Sequence, residues 1–145
     1  MPQATAKEVV LNAWAAFGSR DPQRIAAVFT PNAEWIAPEG NATAIALDGP
    51  SHLTGPDVLV KFITEWVPRL FKDTKIKFER VLEAGDTVII ELRYKALLPN
   101  GRQYDNRYCF LFDVEDGRIR RVTEHMDTLA GHKQIFGEEH PRKIA

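Results

Sequence analysis

Between Gln103 and Asp127 an apolar strand face carries side chains that can do chemistry. Alternate residues of a strand share one side, which groups Tyr104, Asn106, Tyr108, Phe110, Phe112 and Val114. The turn at Glu115-Asp116-Gly117 reads as a three-residue loop with glycine in the left-handed region, pairing Val114 with Arg118. Counting along that ladder sets Phe110 opposite Val122, Tyr108 opposite Glu124 and Asn106 opposite Met126. A carboxylate and an amide among aromatic rings must be paired or used. Burial raises a carboxyl's pKa and a nearby guanidinium lowers it again, so such a group can be tuned toward neutrality, where proton transfer is most effective.

The preceding strand decides whether a guanidinium is at hand. If Asn100-Gly101 is a two-residue type I′ turn, Pro99 faces Arg102, and Glu91, Arg93 and Lys95 lie opposite Phe110, Tyr108 and Asn106. Glu91, Arg93 and Glu124 then converge on one concave surface as the expected catalytic group. Val88, Ile90, Leu92, Tyr94, Cys109 and Leu111 form a second apolar surface, suited to a homodimer through the outer sheet face. A register displaced by one residue instead puts Ile90, Leu92 and Tyr94 inside, the choice that simple apolar periodicity prefers. The three charges also have a purely structural reading as an internal ion-pair network.

The remaining elements must position this face. Thr5-Ala6-Lys7-Glu8 is a capping box, followed by Val10, Trp14 and Phe17 at helical spacing until Gly18. Asp21-Pro22 opens a short second helix that breaks at Pro31-Asn32, and 33–37 reads as a strand. The connection from Pro38 to Gly55 is either a lid or carries a small strand of its own. A third helix starts at Gly55-Pro56-Asp57, with Leu59, Phe62, Ile63, Trp66 and Leu70 on one side and Pro68 kinking it or beginning its end. From Lys75 onward the period is two. The expected fold is α+β: a cone-shaped curved antiparallel sheet of four to six strands wrapped around three N-terminal helices.

The 145 residues suit one domain, expected over 1–136, with a charged tail over 137–145. Nineteen basic and twenty acidic residues give a formal charge of -1, and no basic cluster suggests nucleic acid or an anionic membrane as partner. The single cysteine, Cys109, excludes an internal disulfide. No secretory leader or run of about 18 apolar residues is read, so a cytoplasmic protein is expected. No histidine pair has metal-ligand spacing and no glycine-rich phosphate loop is present, so neither metal nor cofactor is expected.

The order of elements, the run from Asp21 to Trp35, and the strings Gly101 to Tyr108 and Asp116 to Asp127 resemble the superfamily of nuclear transport factor 2, ketosteroid isomerase, limonene epoxide hydrolase and the SnoaL-like polyketide cyclases. Carried over residue by residue, the isomerase set is missing: Ala37 and Ala13 stand at its catalytic Asp and helix-1 Tyr, and only Tyr108 could still donate to an oxyanion. The hydrolase's Asp-Arg-Asp relay falls on Arg93, Glu91 and Glu124, with acid and base exchanged. The cyclases' acidic residue in the last strand corresponds to Glu124. The resemblance implies a small, mostly apolar polyketide-, steroid- or terpenoid-like ligand in the cone. Glu124 would exchange a proton with it, Arg93 and Glu91 would set its ionisation, and Asn106 and Tyr108 would hold a ligand oxygen. Trp35, His52, Lys95, Phe110, Val122 and Met126 are the other expected ligand contacts. The alternative is a non-catalytic binding or assembly module whose cone is filled with side chains.

Overall fold

The computed structural model describes residues 3–137. Thr5 caps the first helix, α1 (Ala6–Ser19), its Oγ1 accepting from the Glu8 N–H at 3.1 Å. Val10, Ala13 and Phe17 form its buried stripe. The helix runs past Gly18 and ends at Arg20, which takes the left-handed C-cap conformation (φ 59°) usually left to glycine. Asp21 caps α2 (Pro22–Ala27), which gives way to β1 (Phe29–Ile36) earlier than the apolar pattern suggests. The long connection holds both a short helix, α3 (Ala42–Ala46), capped by Asn41, and a strand, β2 (His52–Thr54), paired antiparallel with β1.

The third predicted helix is built in three pieces: α4 (Pro56–Lys61), a π-helical turn (Phe62–Trp66) and α5 (Val67–Leu70). Pro68 explains the middle piece. The widened turn sends the Val67 N–H to the Phe62 carbonyl. The Ile63 carbonyl therefore loses its α-type donor, and its π-type donor would be the N–H that Pro68 lacks. The Arg20 guanidinium donates to that carbonyl instead.

Four long strands follow: β3 (Lys72–Ala84), β4 (Thr87–Leu97), β5 (Gln103–Glu115) and β6 (Arg118–Met126). The curved, unclosed sheet has the order β2-β1-β6-β5-β4-β3 and is antiparallel except for the β1–β6 pair. Ile25, Leu59, Phe112, Ile119 and Val122 pack in the core between the helices and the inner sheet face. A last helix unforeseen from the sequence, α6 (Thr128–Phe136), is capped by Asp127. Gln134 holds α6 on β5: its amide donates to the Asp105 carbonyl at 3.0 Å and accepts from the Asp105 N–H at 2.6 Å. Of the tail expected over 137–145, only Gly137 lies within the described residues, as the C-cap of α6.

Both hairpin registers differ from those counted in the sequence. The β4–β5 loop has three residues, Pro99, Asn100 and Gly101, with the Leu98 N–H bonded to the Arg102 carbonyl at 2.9 Å. A two-residue turn would require that N–H from Pro99, which has none. Leu92 consequently faces Tyr108 and Tyr94 faces Asn106, so Ile90, Leu92 and Tyr94 look inward and Glu91, Arg93 and Lys95 outward. The β5–β6 turn has two residues, Asp116 and Gly117, both with positive φ (50° and 76°), joining Glu115 to Arg118. A bulge then displaces the ladder, giving a net change of two, so each side chain keeps its face but changes partner. Glu124 lies opposite Phe110, not Tyr108.

Candidate active site

Glu124 reaches the inner face because β6 alternates about the buried Val122. Trp35, carried by the parallel neighbour β1 at the level of Val122, donates its indole N–H to Glu124 Oε1 at 3.3 Å. Burial pushes the Glu124 carboxyl up to about 7, and the Trp35 bond pulls weakly the other way. No arginine contributes, contrary to the sequence reading.

A cavity of about 350 Å³ extends from this carboxyl between the helices and the sheet. Its walls are largely aromatic: Trp14, Trp35, Phe62, Tyr94, Tyr108 and Phe110. A second hollow of about 30 Å³, also lined by Trp35 and Glu124 and framed by Asn41, Thr43 and Ala44, is large enough for a water molecule. Trp35, Thr43, Phe62 and Glu124 border both spaces. Glu124 thus borders both a large, mostly apolar chamber and a water-sized one.

A hydroxyl chain reaches the same cavity. Asn106 Nδ2 donates to the Tyr104 hydroxyl at 3.0 Å and to the Asp127 carbonyl at 2.9 Å, and the Tyr104 and Tyr108 hydroxyls are 2.7 Å apart. Because the Tyr104 oxygen already accepts from Asn106, the direction that satisfies both phenols has Tyr104 donating to Tyr108. The hydrogen of Tyr108 is then left for an oxygen in the cavity. Burial raises the pKa of both phenols, keeping them neutral donors.

Of the expected site residues, the fold brings together Glu124, Trp35, Tyr108 and Phe110. It separates the others. Glu91 pairs with Arg80, and Arg93 is held bidentately by Asp105 at 2.8 and 3.1 Å, both on the outer face; Lys95 is exposed there. His52 is exposed on β2 and bonded to Glu34 at 2.9 Å, outside the cavity. Val122 belongs to the core, while Met126, beside Tyr108, and Asn106, a bracket for Tyr104 and α6, do not line the cavity. Lining residues absent from the expected site include Arg20, Trp14, Thr74 and Tyr94, the last placed inside only by the rival register. Pro99 and the apolar periodicity of β4 were the available signals for Tyr94. Nothing local to Arg20 announced it, since its place depends on a helix 43 residues away. Among the described residues no cluster of His, Cys, Asp and Glu could hold a metal ion, and no helix is long and apolar enough to cross a membrane.

Residues 10–122 match the family model of the SnoaL-like domain, and the chain belongs to that family. Among solved structures it resembles an NTF2-like protein of unknown function from Burkholderia pseudomallei, at 20% identity, with 92% of this chain and 98% of that one covered and a TM-score of 0.79. TerC co-crystallised with polyporic acid is 22% identical, over 92% and 99% of the two chains, at 0.78. A hypothetical protein from Catenulispora acidiphila with a ketosteroid isomerase-like fold, in complex with trimethylamine, is 15% identical over 92% and 98%, at 0.72. At these identities the likeness establishes the fold. No curated protein matches.

Proposed function

We propose that the cone binds a small, mostly apolar molecule of polyketide, steroid or terpenoid character and that Glu124 exchanges a proton with it, without a cofactor. The observation that carries this reading is a carboxyl poised at about 7 on the wall of a roughly 350 Å³ aromatic cavity. At that pKa the group is divided between acid and base at neutral pH, the condition in which one residue can both take and return a proton. Tyr108 supports the charge that would develop on a ligand carbonyl. Isomerisation, cyclisation and hydration all share this step. Neighbours of the same fold have been crystallised with small ligands, which fits the cavity's size.

The alternative, a filled assembly module, is disfavoured by the volume of the cavity. A homodimer is retained in the reading, with its face revised: Val88, Ile90, Leu92 and Tyr94 turn inward, leaving Ile89, Cys109 and Leu111 among ion pairs on the outer side. A cytoplasmic location is kept on the strength of the unpaired Cys109. The test of the central reading is to identify the ligand by native mass spectrometry of the purified protein and then to follow its turnover. Glu124→Gln is expected to cut kcat by at least about a hundredfold while leaving ligand affinity within a few fold. Undiminished turnover in that variant would remove Glu124 from the mechanism.

A further inference from the structure

The cavity has a second polar end that the proton-transfer reading leaves unused. Arg20 is exposed where the cavity meets solvent, and Ile76, 40% exposed, borders the same opening. Two features fix the guanidinium there: the left-handed C-cap backbone of Arg20, and the Ile63 carbonyl orphaned by the π-helical turn and Pro68. That bond uses one nitrogen, Nη1. Among the described residues, the N–H groups of the fork on Nε and Nη2 have no hydrogen-bond partner, and no carboxylate forms an ion pair with Arg20.

Beside it, the Thr74 and Tyr94 hydroxyls are 3.3 Å apart and share one hydrogen bond. Two hydroxyl hydrogens serve that single bond, so one is left over. The charge of Arg20 is near enough to act on the Tyr94 phenol. Arg20 is not among the groups that set the proton affinity of Glu124, which follows from burial and Trp35, although Arg20 and Glu124 both act on the Tyr94 phenol that lies on the same cavity wall. The mouth therefore offers a permanent positive charge and surplus donors.

We infer that the ligand is an amphipathic acid, an apolar ring system bearing a carboxylate or an acidic enolate, whose anionic group is held at the cavity mouth by Arg20 with Thr74 and Tyr94. This rests on the ligand-binding reading above and adds the ligand's charge and orientation: its anion sits at the mouth, and its rings extend along the aromatic walls toward Glu124. A planar guanidinium already anchored on one side is suited to this task, since less of its freedom is lost on binding and its charge-assisted bonds are roughly twice as strong as neutral ones.

The test uses two probes with the same ring system, 2-naphthoate and 2-naphthalenemethanol, measured by calorimetry at pH 6 and low salt, where Glu124 is mostly protonated. The wild-type protein is expected to bind the carboxylate about tenfold or more tightly than the alcohol. Arg20→Gln is expected to bring that ratio to about one, chiefly through loss of carboxylate affinity, and Arg20→Lys to keep part of it. The melting temperature of each variant separates an effect on the site from one on folding. If Arg20→Gln proves unfolded, Arg20→Lys and the fall of the wild-type ratio with added salt decide the matter. Alcohol bound without any preference for the carboxylate, or a preference that survives Arg20→Gln or rising salt, overturns the anion site and leaves the cavity reading standing. Binding of neither probe overturns both.

Discussion

Glu124 illustrates how one side chain ties function to stability. Its folded pKa of about 7 lies above the ordinary carboxyl value of 4.5, so between those values the folded protein keeps a proton that the unfolded chain has released. Stability therefore falls as pH rises through that window, by up to roughly 3 kcal/mol. Glu124→Gln lacks the titration. Urea denaturation should show this variant gaining on the wild type from pH 5 to pH 8, and parallel curves would mean that another group titrates. Trp35→Phe, which removes the N–H holding the carboxylate form, should move the wild-type transition to higher pH. At this scale the sequence was informative where type alone decides: an acid among aromatic rings is conspicuous wherever its partners lie. Arg93 misled because its side of the sheet depends on a turn six residues away, not on its own chemistry.

The π-helical turn is the element in which stability and site geometry compete. It sets the positions of Phe62 and Ile63 on the cavity wall and supplies the carbonyl that anchors Arg20. Pro68→Ala restores a backbone donor and favours a regular helix, by up to about 3 kcal/mol at an interior position. The variant is expected to melt higher but to bind ligand more weakly, as the wall and the guanidinium are released together. Thermal denaturation beside ligand titration checks both halves. Helix starts at Thr5 and Asp21 were legible because a cap and its partner lie within one turn. The π-helical turn and α6 were not. The first needs the Arg20 contact to complete it, and the second is held by Gln134 and Asn106 acting on β5 and on the chain at Asp127.

For the whole molecule, the arrangement of layers was readable from the change of period, helical at first and then two, because that change alone dictates helices laid against a sheet. The inner faces of β5 and β6 were readable as well, and only the side that β4 turns inward was not. In the observed register the outer face carries the pairs Arg80–Glu91, Arg93–Asp105 and Arg107–Glu79 around Ile89, Cys109 and Leu111. A dimer through it would depend on charge as well as apolar contact and should weaken with salt. Sedimentation at micromolar concentration in low and high salt measures this. A species that stays monomeric at low salt would rule the dimer out.

Pro99 acts through what it withholds. The dipeptide after it is the most favoured of all tight reversals, and with an ordinary residue at 99 nothing in the local backbone would forbid the competing hairpin. That hairpin would expel Leu92 to water and bring in Arg93. A single imino acid thus adds a local veto to the burial of Ile90 and Leu92, and replacing it by valine, a better strand former, would leave that burial as the remaining guard of the register.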